Sequence, residues 1–389
     1  MLNFEKAKIY GVDKVGSSNP DALIRTDDAV GLNVTVGTTD ITSDFDRCYP
    51  YCDMQEVTDA AGNVFIKIPK FYAKITPNAD GTFKHQISGV RYEGFTTLFV
   101  DGEGNELDYI LVGKYEGSGS ASKVFSKSGA TVLVNITCDS FRNGCKANGD
   151  GYQQYDFLID LIIKELWLVE MKTTNSQAIM YGYANGNSAA VATGRTDAVK
   201  TPSGSEESNT DGKHACKYRG IENLWGNTYT WCDGISFLSE KVYVCTDPKS
   251  YAAGKTASPY VYNGNRPTSS GWIKKVAPLN RNPLIQYATE ASGGSATTYF
   301  CAFAYSGGSV LGVGIGAVIS PRRTRTRTSA VAFAKSLFKG VARGTPPLRI
   351  KQQIKGSRRT LRRVFGRLGA CRWWELEQHD ERGFVVLER

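Results

Sequence analysis

Nine cysteines stand at positions 48, 52, 138, 145, 216, 232, 245, 301 and 371. A zinc site wants thiol pairs at a tight spacing with further cysteines or histidines at a set distance. The tightest pairs here are Cys48-x3-Cys52 and Cys138-x6-Cys145, with no histidine near either in sequence. The pattern predicts reduced, mostly buried thiols rather than a metal centre or a disulfide framework. The three histidines, His85, His214 and His379, are too scattered for a Ser-His-Asp arrangement to be read from the sequence, and the carboxylates form no close pair. Gly312-x-Gly314-x-Gly316 has the look of a phosphate loop. Pro321 and an arginine run follow it, where a dinucleotide fingerprint needs a helix and an acid about 20 residues on. No nucleophile–base pair emerges, so the expectation is a protein without catalysis, cofactor or metal.

Recognition chemistry is better represented. Arg281, Asn282, Tyr287, Tyr299 and Tyr305 bring guanidinium, amide and phenol groups into one late stretch, 280–306. Such side chains give large contact area and adaptable hydrogen bonds, and they suit binding rather than acid–base work. A second reading stays open for part of the set. Tyr299, Phe303 and Tyr305 recur at even spacing, as the core face of one strand would.

The elements that must position these residues are irregular. The chain has 389 residues, 41 of them glycine, with 41% hydrophobic and 11% aromatic content. That suits two or three loop-rich domains and excludes collagen and coiled coil. No apolar stretch is long enough to span a bilayer, and the start lacks an apolar signal core, so neither a membrane protein nor an ordinary secretory precursor is expected. Ala61-Gly62-Asn63, Asp80-Gly81 and Asp101-Gly102 through Asn105 are turn sequences. Short strands are expected near Leu32–Val36, on either side of Pro69, and over 108–115. A helix is expected over 153–170. Leu158, Leu161, Ile162, Glu165 and Val169 fall at helical spacing on the face that would pack on a sheet, and Asp156, Asp160 and Lys164 line the opposite face. Residues 183–215 read as a long surface loop.

Residues 223–231 are the most distinctive: Asn223-Leu-Trp225-Gly226-Asn227-Thr-Tyr-Thr230-Trp231. Two indoles around a Gly-Asn turn need no ligand to explain them. They predict buried Trp225 and Trp231, with Asn227 bonded to backbone. The stretch resembles the Gly-x-Trp-Gly-Asn-x-x-Glu-Trp signature of the formylglycine-generating-enzyme type of C-type lectin fold. Asn223 stands where the signature has its first glycine, and Thr230 where it has glutamate. The preceding helix, Asn175-Ser176-Gln177, and the segment Gly62 to Tyr72 resemble phage tail proteins of this fold that are targets of diversity-generating retroelements. Residues 291–301 are similar to the lead-in to their variable region. The resemblance covers about residues 57–305. It implies an α+β, C-type-lectin-like domain with small antiparallel sheets, one long helix and long loops. It also implies a non-enzymatic receptor-binding module at the tip of a phage tail fibre, in the virion. Its partners would be a host cell-surface protein or glycan, other phage tail proteins and, by analogy, two further copies of itself in a trimer. The formylglycine-generating relatives oxidise a substrate cysteine with a close pair of C-terminal cysteines. Here Cys301 stands alone and Cys371 lies seventy residues on, which argues against such an oxidase.

Charge divides the chain. Residues 321–389 hold 18 Lys and Arg against 5 Asp and Glu, a net of +13, while residues 1–320 carry a net of −4. The expected organisation is a β-rich N-terminal module (1–75), the lectin-like ligand-binding domain (76–320) and an arginine-rich tail (321–389). Three readings of the tail stay open: a basic binding appendage, a diversified segment, or a frame-slipped, unpatterned end. The first would make the chain nucleic-acid-associated through that tail, the alternative to the receptor-binding reading.

Overall fold

A computed structural model describes residues 2–17, 19–184, 189–208, 210–228, 230–267, 272–279, 282–292 and 319–321. Arg281, Tyr299, Tyr305, Cys301, Cys371, the glycine triplet 312–316 and the tail from 322 onward lie outside the described residues.

The fold mixes small antiparallel sheets with a few helices. One four-stranded sheet runs in the order Ile24–Asp27, Ile9–Val15, Phe83–Ser88, Tyr72–Pro77. A three-stranded sheet places Val64–Pro69 between Gln55–Thr58 and Tyr109–Gly113. Pro69 occupies the last position of its strand, opposite Tyr109, where a missing N–H is least disruptive. The expected boundary between 75 and 76 falls inside the strand Tyr72–Pro77. One apolar core extends across it, from Tyr10 and Val12 to Leu284 and Tyr287.

The helix begins at Phe157 and ends at Met171, not at 153 and 170. Gln153 and Gln154 belong instead to a short strand, Tyr152–Gln154, paired with Ile319–Pro321. The Asp156 carboxylate then caps the helix by accepting from the Ile159 N–H at 2.8 Å. Lys172 closes it in the left-handed conformation, φ 56°. Two shorter helices, Cys138–Lys146 and Ser176–Ile179, flank it, so the expected single long helix is replaced by one of 15 residues with shorter companions.

The face opposite the apolar one, with Asp160 and Lys164, is not exposed to solvent. All fifteen residues are buried, because the helix touches the Ile9–Val15 and Phe83–Ser88 strands and also the strand Asn282–Ser292. Its charged residues are paired inside. Lys164 bonds Asp160, which also accepts from Tyr155 Oη at 3.2 Å. Glu165 meets His85 Nδ1 at 2.9 Å. Glu170 accepts from Arg219 Nε at 2.8 Å and Tyr218 Oη at 2.8 Å. A buried charge is tolerable only with such partners.

The stretch 183–215 is not simply a surface loop. Ser203–Ser205 is the central strand of a five-stranded sheet, between Cys216–Tyr218 and Asp40–Ser43. A Cβ at Gly204 would come within 2.3 Å of the Thr39 carbonyl oxygen, so the crowded centre of this sheet needs small residues. Thr193 and Thr196 are buried as well. All seven described cysteines are free thiols, and Cys48, Cys145, Cys216 and Cys245 are buried. No helix among the described residues is long and apolar enough to cross a membrane.

Candidate functional site

Three left-handed positions build the Trp-Gly-Asn turn. Asn223, Gly226 and Asn227 have φ of 50°, 85° and 60°. Asparagine and glycine tolerate that region better than other residues. A Cβ at Gly226 would sit 2.7 Å from the Tyr183 backbone nitrogen, so only glycine lets these two chains approach. The Asn227 N–H donates to Tyr183 O at 2.9 Å.

The side chains of this segment point inward. Trp225 is 2% exposed and donates Nε1–H to Met180 O at 2.9 Å. Asn227 Oδ1 accepts from Val191 N at 2.8 Å, and Asn227 Nδ2 donates to Val191 O at 3.2 Å. That is the expected backbone role for Asn227. Trp231 departs from expectation. It is only half-buried, in a satellite cluster with Phe65, Val124, Phe141 and Cys145, and donates Nε1–H to Ile136 O at 3.1 Å.

A carboxyl completes the turn from elsewhere in the chain. Glu116 is fully buried. It accepts from Asn223 Nδ2 at 2.9 Å, Asn227 Nδ2 at 2.5 Å and Thr228 Oγ1 at 2.8 Å. Thr230, at the glutamate position of the resembled signature, is buried with no hydrogen bond to its hydroxyl. Burial pushes the Glu116 carboxyl up to about 7 even though its three donors pull the other way, and Glu222 nearby adds to the rise. Glu222, also raised by burial, accepts from Gly194 N at 2.7 Å, Thr196 N at 2.8 Å and Thr196 Oγ1 at 2.7 Å. Sequence reasoning missed Glu116. A single acid between a strand and a Gly/Ser loop carries no signal of a partner more than a hundred residues away.

The recognition residues divide. A two-stranded hairpin, Trp272–Leu279 with Asn282–Ser292, lies against the helix and the Tyr72–Pro77 strand. Asn282 is half-buried, and its Oδ1 accepts from Leu284 N at 3.0 Å. Tyr287, expected at the binding surface, is 5% exposed and donates its hydroxyl to Asn263 O. It ties the hairpin to the Val261–Asn265 strand and is a packing residue. The reason lies in the strand. Leu284, Ile285, Gln286 and Tyr287 are all buried, so this stretch has no solvent side.

The arrangement supplies amides, hydroxyls and carboxyls fixed by one another. Among the described residues no group of three His, Cys, Asp or Glu is placed to hold a metal ion. His85, the one fully buried histidine described, is engaged by Glu165 in the core. Compared with known protein families and with curated proteins, the chain matches none.

Proposed function

We propose that this chain is a non-enzymatic receptor-binding protein of a phage tail fibre. In this reading a C-type-lectin-like scaffold displays a recognition surface around residues 280–306, and the protein works in the virion as a homotrimer beside other tail proteins. The observation that carries it is the internal use of the Trp-Gly-Asn segment. Trp225, Asn223, Asn227 and Thr228 spend their polar groups on Met180, Glu116 and Val191, as a scaffold does. The hairpin Trp272–Leu279/Asn282–Ser292 supports it too, since a rigid, core-anchored strand is a good base for a binding edge. Its partner is a host cell-surface protein or glycan, and many weak sites on one particle suffice through avidity.

The test is adsorption to host cells by particles or purified trimers carrying Ala at Arg281, Asn282, Tyr299 or Tyr305, with melting temperature measured on each. Loss of adsorption at unchanged melting temperature supports the reading. Unchanged adsorption in all four, or salt-dependent retention on DNA that removal of residues 322–389 abolishes, overturns it in favour of nucleic-acid association.

A further inference from the structure

Glu116 is buried without a counter-charge. Its three hydrogen-bond partners, Asn223, Asn227 and Thr228, are neutral and come from one short stretch of chain. The charged groups around it do not compensate. Glu222, on the strand Ile221–Glu222, is a like charge, and the buried Cys216 thiol on the neighbouring strand feels both carboxyls. Lys114, two residues before Glu116, is turned to Glu56 at 2.9 Å and Asp197 at 3.0 Å. Lys217 gives its Nζ to Val199 O at 2.6 Å. A carboxylate taken out of water among neutral donors and beside a second carboxylate is costly, and proton uptake is the usual relief.

The neutral acid has an acceptor ready. Asn223 Oδ1 is buried with no hydrogen-bond partner, on the same amide whose Nδ2 touches Glu116 Oε2. Turning that amide by half a turn exchanges its nitrogen and oxygen at no change of shape. The carboxyl then donates to Asn223 Oδ1 and still accepts from Asn227 and Thr228. One amide atom stays unpaired in either orientation, but the neutral form buries no charge.

We infer that Glu116 is carried as a neutral, hydrogen-bond-donating acid, and that its ionisation is a pH-dependent latch on the paired segments 189–196 and 223–228. Asn227 is the coupling element. It takes its position from Glu116 and holds both the N–H and the carbonyl of Val191. Glu222 holds Gly194 and Thr196 of the same segment, so charge appearing on Glu116 acts on both anchors. Burial raises this carboxyl from its ordinary 4.5 to about 7. Its stabilising contribution is therefore complete below the ordinary range and is lost as pH rises through about 7.

The experiment compares the unfolding equilibrium of the full chain, Glu116→Gln and Glu222→Gln between pH 5.5 and 8.5. The amide of Glu116→Gln mimics the neutral acid. In the unaltered chain the unfolding constant gains a factor approaching tenfold per pH unit from this one proton as pH rises from the ordinary 4.5 to about 7, and levels off above that. Glu116→Gln removes that factor. Glu222→Gln keeps it with a lower midpoint, because the like charge is gone. Retention of the factor in Glu116→Gln, or its loss in Glu222→Gln alone, overturns the inference. Should Glu116→Gln fail to fold, the carboxyl carbon of Glu116 is titrated by NMR in the unaltered chain. A midpoint near 7 supports the latch, and one in the ordinary carboxylate range overturns it.

Discussion

Trp225 meets Trp167 edge to face, with ring centroids 5.1 Å apart and planes at 80°. Trp167 lies on the buried helix and Trp225 in the Gly-Asn turn, so this contact seats the turn on the core. Each indole N–H is spent on a backbone carbonyl, that of Trp167 on Thr173 at 2.8 Å and that of Trp225 on Met180 at 2.9 Å.

The two tryptophans of the signature should therefore differ on truncation. Trp225→Ala is expected to cost about 3–5 kcal/mol, the range for a fully buried aromatic. Trp231→Ala should cost roughly half of that, because its ring stays partly in water. Urea unfolding of both variants measures the difference, and equal losses would contradict the packing described.

Gly226 and Gly81 separate backbone strain from crowding. Both have positive φ, 85° and 83°, but a Cβ at Gly81 meets nothing within 4 Å while one at Gly226 strikes the Tyr183 backbone. Gly81→Ala should cost about 1 kcal/mol from conformation alone, and Gly226→Ala at least about 2–3 kcal/mol. Circular-dichroism melts of the pair give the contrast directly.

Arg219 and Glu170 form a buried pair that should be more costly to break than to replace. Arg219 also bonds Asp46 at 2.6 Å, and its guanidinium lies over the Tyr51 ring. Arg219→Met leaves Glu170 charged in the core and is expected to cost about 3–5 kcal/mol. Adding Glu170→Gln should recover part of the loss. A double-mutant cycle reads this as a favourable coupling, and strict additivity would refute it.

Acid should attack the turns. Burial alone would raise the Asp59 carboxyl, but hydrogen bonds from Tyr152 and Asn63 outweigh it and hold it below the usual range. Asp101 is lowered in the same way by Asn105. A depressed carboxyl contributes stability above its unfolded range, near 3.8, and loses it as pH falls further. Asp59→Asn and Asp101→Asn should therefore flatten the loss of stability below about pH 4, as followed by acid titration of the fluorescence signal.

Those turns are also where the sequence was most legible. Asp59-Ala-Ala-Gly62-Asn63 and Asp101-Gly-Glu-Gly104-Asn105 repeat one geometry. The aspartate Oδ1 accepts the N–H groups two and four residues on, the asparagine amide bonds Oδ2, and the glycine has positive φ. All of that is local, so the residue types suffice to read it. The helix was legible in place but not in setting. Its polar stripe of Asp160 and Lys164 has the spacing of a solvated face, and the burial of the whole helix is a tertiary property that the spacing does not carry. Ser203–Ser205 has no apolar period to read, and the close approach of Thr39 that leaves no room for a Cβ at Gly204 is a tertiary contact. Tyr287 shares its residue type with recognition surfaces, and burial on both sides of its strand is a tertiary property that no spacing records.

The wholly buried helix sets a problem of timing during synthesis. Phe157–Met171 leaves the ribosome more than a hundred residues ahead of Asn282–Ser292, the strand that covers one of its sides. At the usual rate of chain elongation, the nascent protein holds an apolar helix partly uncovered for about 5–20 s. That interval is long enough for chaperone capture or for pairing with a neighbouring nascent chain, so yield in a cell should depend on translation speed through residues 172–292 more than on anything after them.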